Sequence, residues 1–214
     1  MSTTERARRG RFVSFEGLDG SGKTTQIERL AGRLHALGRE VAVAVEPGGT
    51  AIGDQIRRVL LDAANRELTP AAELLLYFAS RAQNVAEVIR PALERGAFVL
   101  ADRFTDSTLA YQGYGRGLGE AAVRELHRIA CGELQPDLTL LLDVDPEIGL
   151  ARARGRGGPN RMDEQAAGFY RRVREGYLEM AAREPQRFRV IDAHASLEAV
   201  ARAVWEAVAP LAAD

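Results

Sequence analysis

Residues 17–24 read GLDGSGKT, and this stretch determines more of the architecture than any other part of the 214 residues. It matches the phosphate-binding pattern G-x-x-x-x-G-K-T, with an apolar run at residues 11–16 before it and helically spaced apolar residues after it. Glycines let backbone N–H groups turn towards phosphate oxygens, and a helix that starts here presents its positive end to them. The pattern therefore predicts a strand, a phosphate-binding loop (P-loop) and a helix in succession.

The polar side chains of this loop suit a nucleoside triphosphate. Lys23, the only lysine among 29 basic residues, has the reach for the β- and γ-phosphates, and the Thr24 hydroxyl is a ligand for Mg²⁺. Glu16, directly before the loop, is expected to order it. The expected ATP-binding residues are Gly17, Leu18, Asp19, Gly20, Ser21, Gly22, Lys23, Thr24 and Thr25.

Apolar runs and helical patterns alternate along the rest of the chain. Further strands are predicted at residues 41–45, 97–101, 138–144 and 188–191, and helices at 52–61, 70–93, from 146 and at 196–211. Strands this apolar are typical of a parallel sheet covered on both faces. We expect an α/β fold, the three-layer sandwich of P-loop NTPases, with a five-stranded parallel sheet flanked by helices. A single kinase domain would span residues 11–214, after a polar tail at 1–10.

Composition narrows the function classes. The formal net charge of −1 argues against a nucleic-acid binder that relies on overall basic charge. No apolar run is long enough to span a membrane. The single cysteine, Cys131, cannot form an intrachain disulfide, which fits a reducing compartment, and a cytoplasmic location is expected.

The end of the third strand separates kinases from other P-loop proteins. No second lysine is available for the guanine-reading motif of GTPases. Motor and transport ATPases usually end this strand with an acidic pair, whereas here Asp102 is followed by Arg103. Asp102 suits the Mg²⁺ shell, and Arg103 suits bidentate binding of an acceptor phosphate.

Four motifs resemble those of thymidylate kinases. They are FEGLDGSGKTT at 15–25, EPGGT at 46–50, YFASR at 77–81 and DRFTDSTLAYQG at 102–113. They occur in the family's order, and the similarity covers nearly all of the chain from Arg11 onward. The resemblance implies the reaction ATP + dTMP → ADP + dTDP with Mg²⁺, a step in dTTP biosynthesis, and a homodimer.

The resemblance also implies an acceptor site. An aromatic ring at Tyr77, where relatives commonly have phenylalanine, stacks on thymine, and Arg81 bonds its carbonyl oxygen; Phe78 is the adjacent alternative. Tyr111 lies under the sugar and leaves no room for a 2′-hydroxyl. The sequence leaves open whether Glu46-Pro47 forms a tight turn or a cis bond. The expected dTMP-binding residues are Glu46, Pro47, Arg57, Tyr77, Phe78, Arg81, Arg103, Ser107, Thr108, Tyr111 and Gln112.

Alternating arginines at 152, 154 and 156 precede the segment Gly157-Gly158-Pro159, which breaks a helix. An arginine-rich lid at about 152–162 is therefore a better interpretation than a continuous helix. Such a lid suits phosphoryl transfer, which needs cations and the exclusion of water. The bacterial type of thymidylate kinase places its catalytic arginine in this lid and a glycine, here Gly20, in the P-loop. The expected catalytic residues are Lys23, Asp19, Arg103, Arg154 and Arg156, without a choice between the last two.

Two alternatives stay open. One is a kinase for another nucleotide or nucleoside. Four residues argue against it: Tyr77, Arg81, Thr108 and Tyr111. Adenine, for example, would not present thymine's carbonyl to Arg81. The other is a regulatory ATPase without an acceptor, which would turn over ATP alone and tolerate the loss of Arg103.

Overall fold

The computed structural model describes residues 9–154, 161 and 167–213. The expected tail up to residue 8, most of the expected lid and Arg156 lie outside the described residues. The sheet is parallel throughout, with the strand order β2-β3-β1-β4-β5. The strands are β1 Arg11–Glu16, β2 Val41–Val45, β3 Phe98–Asp102, β4 Leu138–Asp143 and β5 Phe188–Asp192. The predicted five-stranded parallel sheet is confirmed.

Helices cover both faces of this sheet. They are α1 Lys23–Ala36, α2 Ala51–Leu61, α3 Pro70–Asn84, α4 Arg90–Glu94, α5 Thr105–Thr108, α6 Glu120–Cys131, α7 Pro146–Arg154, α8 Ala167–Arg183 and α9 Leu197–Ala213. As the sequence predicts, Thr69 caps α3, and its hydroxyl accepts from the Ala72 N–H at 3.3 Å. None of the helices in the described ranges is long and apolar enough to cross a membrane.

Several predicted boundaries differ from the observed ones by one or two residues, and two of the differences have a clear physical cause. The helix expected at 70–93 is interrupted by a π-helical segment, Val85–Ile89, which ends two residues before Pro91. Proline has no N–H for the carbonyl four residues earlier, so the regular ladder is not sustained there. The third strand begins at Phe98 instead of 97, because the Ala97 N–H donates to the Ala92 carbonyl at 3.0 Å and belongs to the preceding turn.

The central strand β1 divides the core into two layers. Val13 and Phe15 point into the larger apolar cluster, and Phe12 points into the smaller one on the opposite face. Ser14 and Glu16 share the face of Phe12 and are also fully buried. A carboxyl group thus lies in the interior, at the carboxyl end of the central strand, where ligands of such sheets bind.

We predict that Leu140→Ala destabilises the protein far more than Leu37→Ala. Leu140 is fully buried in β4, so the truncation should cost about 2–5 kcal/mol of unfolding free energy. Leu37 is 57% exposed, and its truncation should change that free energy by about 0.5 kcal/mol at most. Urea denaturation of both variants measures the difference; similar losses would contradict the assigned core.

Candidate active site

The P-loop wraps its backbone around one ammonium group. Gly17, Gly20 and Gly22 all have positive φ angles, of 131°, 76° and 95°. The Lys23 Nζ donates to the carbonyls of Gly17, at 3.2 Å, and Leu18, at 2.9 Å. Burial, assisted by the nearby Arg103, lowers the pKa of Lys23 to about 8. The lysine side chain therefore lies inside the loop that the glycines form.

Two side chains expected to bind Mg²⁺ meet at the end of the loop. The Thr24 hydroxyl donates to the Asp102 carboxylate at 3.0 Å, so α1 and β3 bring their ends together. The described residues contain no group of three or more His, Cys, Asp or Glu side chains that would form a protein cage for a metal. One hydroxyl and one carboxylate fit Mg²⁺, which keeps waters and phosphate oxygens as its other ligands.

Arg103 occupies the centre of the cleft. Its φ of 74° is the only positive value for a non-glycine residue in the described ranges. Its Nη2 lies 2.6 Å from Asp19, and its Nη1 donates to the Gly17 carbonyl at 3.0 Å. Although burial raises the pKa of Asp19, the charges of Arg103 and Lys23 outweigh it, and the net shift is downward. The structure thus brings three of the expected catalytic residues together.

Arg57 approaches the same region from α2. It is half-buried, and its Nη1 donates to the Pro47 carbonyl at 2.6 Å. The Glu46-Pro47 peptide bond is cis, which decides between the two conformations that the sequence leaves open.

Arg81 links α3 to Glu46 and to α5. It is 1% exposed, and its Nε pairs with Glu46 at 2.6 Å. Its Nη2 donates to the Thr108 hydroxyl at 2.9 Å and to the Phe104 carbonyl at 3.1 Å. Burial raises the pKa of Glu46, and the Arg81 charge opposes that rise. Within the described part of the chain, the Arg81 Nη1 has no hydrogen-bond partner. A buried donor without a partner is costly, so this nitrogen is suited to a ligand carbonyl.

The two neighbouring aromatic residues of α3 differ in position. Phe78 belongs to the larger core cluster and supports the Arg81 guanidinium, whose carbon lies 4.8 Å from its ring centroid. Tyr77 is only half-buried. Burial and the Glu73 carboxylate raise the pKa of Tyr77 to about 12, and the charges of Arg103 and Asp19 also act on it. Of the pair, Tyr77 is therefore the residue that faces the cleft.

Three residues of the 102–113 motif form hydrogen bonds with other residues of the site: Ser107, Tyr111 and Gln112. The Tyr111 hydroxyl is 3.4 Å from the Arg103 Nη2, and its ring lies under that guanidinium. Gln112 donates to Glu73 at 2.8 Å. Ser107 bonds Glu16 and the Tyr177 hydroxyl. The hydroxyl of Ser107 is therefore occupied by protein partners.

Two residues that contact the site, Glu73 and Tyr177, were not predicted from the sequence. Glu73 accepts hydrogen bonds from Gln112 and Arg116 and pairs with Arg161 at 2.5 Å. Tyr177 comes from α8, far along the chain. A charged residue among the apolar residues of a predicted helix could have identified Glu73, whereas no motif marks Tyr177.

The described arginines at the ends of the expected lid have structural partners. Arg152 donates to the Ala193 carbonyl at 3.0 Å, and Arg161 donates to the Leu60 carbonyl at 3.0 Å. Arg154 is the last residue of α7, and Arg156 lies outside the described residues.

The P-loop packs backbone-to-backbone against α7. A Cβ atom at Gly20 would lie 2.0 Å from the Gly149 carbonyl oxygen, and one at Gly149 would lie 2.7 Å from the Asp19 carbonyl oxygen. This contact leaves no room for a side chain at position 20.

Comparison with known proteins agrees with this geometry. The thymidylate kinase family model matches residues 15–204. The chain is 53% identical to the thymidylate kinase of Syntrophotalea carbinolica, over 91% of this chain and 93% of that protein. It is 52% identical to the thymidylate kinase of Deinococcus radiodurans, over 93% of this chain and 96% of that protein. The crystal structure of thymidylate kinase from Ehrlichia chaffeensis superposes with a TM-score of 0.76 at 33% identity, covering 94% of this chain and 99% of that one. The chain belongs to the thymidylate kinase family.

Proposed function

We propose that this cleft transfers the γ-phosphate of ATP to dTMP, giving ADP and dTDP. The chain is an ATP-dependent phosphotransferase of the thymidylate kinase family, and dTMP is its acceptor. One observation carries the assignment of the site. A buried arginine, Arg81, has an Nη1 without a partner among the described residues, and this residue lies one helical turn from Tyr77 on α3. A pyrimidine carbonyl would satisfy that donor while its ring stacks on Tyr77.

The donor side consists of the P-loop. Its amides and the positive end of α1 bind the phosphates, and Lys23 moves from the loop carbonyls to the β- and γ-phosphate oxygens. Thr24 and Asp102 would hold Mg²⁺, which when bound neutralises charge on the phosphate oxygens. Both residues present oxygen atoms, as this ion prefers.

The acceptor side rests on two arginines. Arg103 and Arg57 hold the dTMP phosphate, and Asp19 binds the sugar 3′-hydroxyl or the metal shell. The acceptor phosphate is already anionic at neutral pH, so no general base is required. Catalysis then consists of alignment and charge neutralisation in a site that excludes water.

Arg154 and Arg156 are the proposed lid cations. Arg152 and Arg161 have contacts to Ala193 and Leu60 that fix the two ends of the lid. The contact of Gly20 with α7 supports this assignment, because the P-loop has no room for an arginine there. An arginine that stabilises the transferring phosphoryl group must then come from elsewhere.

A second copy of the chain is the proposed partner. Helices α2, α3 and α6 pack side by side and expose large apolar side chains: Ile52, Val59, Leu75 and Ile129. Ile129 is 69% exposed, which is costly for an isoleucine in water. A homodimer would cover this surface. We place the protein in the cytoplasm, where its buried Cys131 stays reduced, and propose no nucleic-acid or membrane partner.

ADP formation from MgATP should depend on dTMP. We expect a strong signal with dTMP, a weaker one with dUMP, and near-background turnover with AMP, CMP, GMP or no acceptor. Adenine and cytosine carry an amino group in place of the base carbonyl that Arg81 binds, and Tyr111 leaves no room for the ribose 2′-hydroxyl of AMP, CMP and GMP. A coupled assay with each nucleotide in turn measures this. Equal ADP release without any acceptor would identify a hydrolase and refute the acceptor site.

The Tyr77 ring should set the affinity for dTMP. Loss of stacking in Tyr77→Ala should raise the dTMP KM about 5- to 150-fold, since stacking contributes about 1–3 kcal/mol per base. Tyr77→Phe keeps the ring and serves as the matched control, with a KM near the original value. The ATP KM should change in neither variant. An unchanged dTMP KM in Tyr77→Ala would mean that another surface binds the base.

Gly20→Ala should disable catalysis. The new Cβ would meet the Gly149 carbonyl at a backbone φ of 76°, so the P-loop and α7 must separate. A displacement of about 1 Å costs roughly 100-fold in rate, and we expect a fall in kcat of this size. Gly32→Ala is the control, because nothing lies within 4 Å of its added Cβ. Steady-state measurement of kcat for both variants tests this prediction. A normal kcat for Gly20→Ala would show that the P-loop and α7 separate without loss of activity.

A further inference from the structure

Three buried oxygen atoms form a triangle beneath Arg103. The Tyr177 hydroxyl lies 3.0 Å from the Glu16 Oε2 and 2.7 Å from the Ser107 Oγ, and Ser107 also contacts the same Glu16 oxygen closely. The three residues come from β1, α5 and α8, and each is buried. The proposed function assigns none of the three to the phosphate or the base, and the Ser107 hydroxyl, expected at the dTMP site, is bonded to Glu16 and Tyr177 instead.

The triangle needs one more hydrogen atom than its two hydroxyl groups supply. The other carboxyl oxygen of Glu16 accepts from the Ser14 hydroxyl at 2.7 Å and from the Phe104 N–H at 2.8 Å, so it is already satisfied. The triangle has three sides, but the hydroxyls of Ser107 and Tyr177 supply only two hydrogens. Burial and the neighbouring Glu16 raise the pKa of Tyr177 well above its usual range, so its hydrogen is retained. A third hydrogen can come only from the carboxyl group.

The charges around Glu16 also favour its protonated form. A second buried carboxylate, Asp106, is matched by Arg187, whose two terminal nitrogens lie 2.6 and 3.0 Å from it, and by the Thr139 hydroxyl. In the described ranges Glu16 forms no such ion pair; Arg103 acts on it from a greater distance, and Lys23 also lies near. Burial, with Asp106, raises the pKa of Glu16 to about 7.

The triangle touches the acceptor-phosphate arginine directly. The Arg103 Nη1 donates to the Ser107 Oγ at 3.1 Å and lies 3.5 Å from the Tyr177 oxygen. These oxygens present lone pairs to the guanidinium only if their own hydrogens point along the triangle. A hydrogen from Glu16 to Ser107, from Ser107 to Tyr177 and from Tyr177 back to Glu16 meets that condition.

We propose that Glu16 is held in its protonated form and closes, with Ser107 and Tyr177, a ring of three hydrogen bonds that positions Arg103 for the acceptor phosphate. The proposal rests on the proposed function in one respect, the binding of that phosphate by Arg103. Ionisation of Glu16 opens the ring and places a buried negative charge beside the guanidinium, which then competes with the phosphate for it. Affinity for dTMP should therefore fall as pH rises through the titration of Glu16.

The kinetic test compares the wild type with Glu16→Gln, in which a neutral amide supplies the missing hydrogen at every pH. The ratio of the dTMP KM of the wild type to that of the variant should be constant at low pH. It should rise by up to about tenfold at pH 8, one unit above a pKa of about 7. Titration of the dTMP phosphate is a property of the substrate and cancels in the ratio, and the ATP KM of both proteins, measured at each pH, reports the titration of Lys23, on which Glu16 acts. A ratio that stays flat from pH 6 to 8.5 overturns the proposal.

A second variant tests the ring itself. Tyr177→Phe removes one oxygen and should raise the dTMP KM several-fold while the ATP KM is unchanged, which a general loss of folding would not produce. Tyr114→Phe is the control, because the Tyr114 hydroxyl bonds Arg183 at the surface. Equal effects on both KM values in Tyr177→Phe overturn the positioning role.

Difference infrared spectroscopy reads the proton without reference to activity. The spectrum of the wild type minus that of Glu16→Gln should show the carbonyl band of a protonated carboxyl group at pH 6, fading as pH rises past 7. Absence of the band overturns the proposal. If the band is present but ADP formation does not depend on dTMP, the proposed function fails and the protonation of Glu16 stands.

Discussion

The guanidinium of Arg103 joins the donor half of the cleft to the acceptor half, and the arrangement of both halves depends on it. Each of its terminal nitrogens contacts both sides: Nη1 donates to the Gly17 carbonyl and to Ser107, and Nη2 contacts Asp19 and Tyr111. Its positive φ costs on the order of 1 kcal/mol or more, and such a conformation persists only where the surroundings over-determine it. The contacts on both sides supply that constraint. A phosphate bound by Arg103 is therefore positioned relative to the donor loop.

Beneath this arginine the protein maintains a polar layer in its interior. Asp106, Arg187 and Thr139 satisfy one another, and they link α5 to β4 and the segment that leads into β5. Glu16 lies beside them without a cation of its own in the described structure. Buried polar groups of this kind add little net stability, but they restrict the interior to one arrangement when all members are satisfied. In this protein that restriction lies directly below the reacting groups.

Sequence patterns predict the layers of the fold better than the details of the site. The P-loop, the five parallel strands and the cap at Thr69 follow from local patterns, because glycine spacing, apolar runs and capping residues act over a few positions. The choice between Tyr77 and Phe78 needs the rotation of α3 against the core, which adjacent positions do not reveal. The hydrogen-bonded ring joins residues as far apart as Glu16 and Tyr177, separated by 161 positions, so no local pattern marks it. The broken helix before Pro91 shows a third limit, since apolar spacing continues through a π-helical turn.

The contact between Gly20 and Gly149 has a consequence for the evolutionary history of this enzyme type. With the P-loop and α7 touching through bare backbone, a codon change that places arginine at position 20 displaces the helix that leads into the lid. If the lid carries the catalytic cation, as proposed, single substitutions that move it to position 20 pass through a protein in which the P-loop and α7 are displaced. Descent from this arrangement is therefore expected to preserve glycine at position 20.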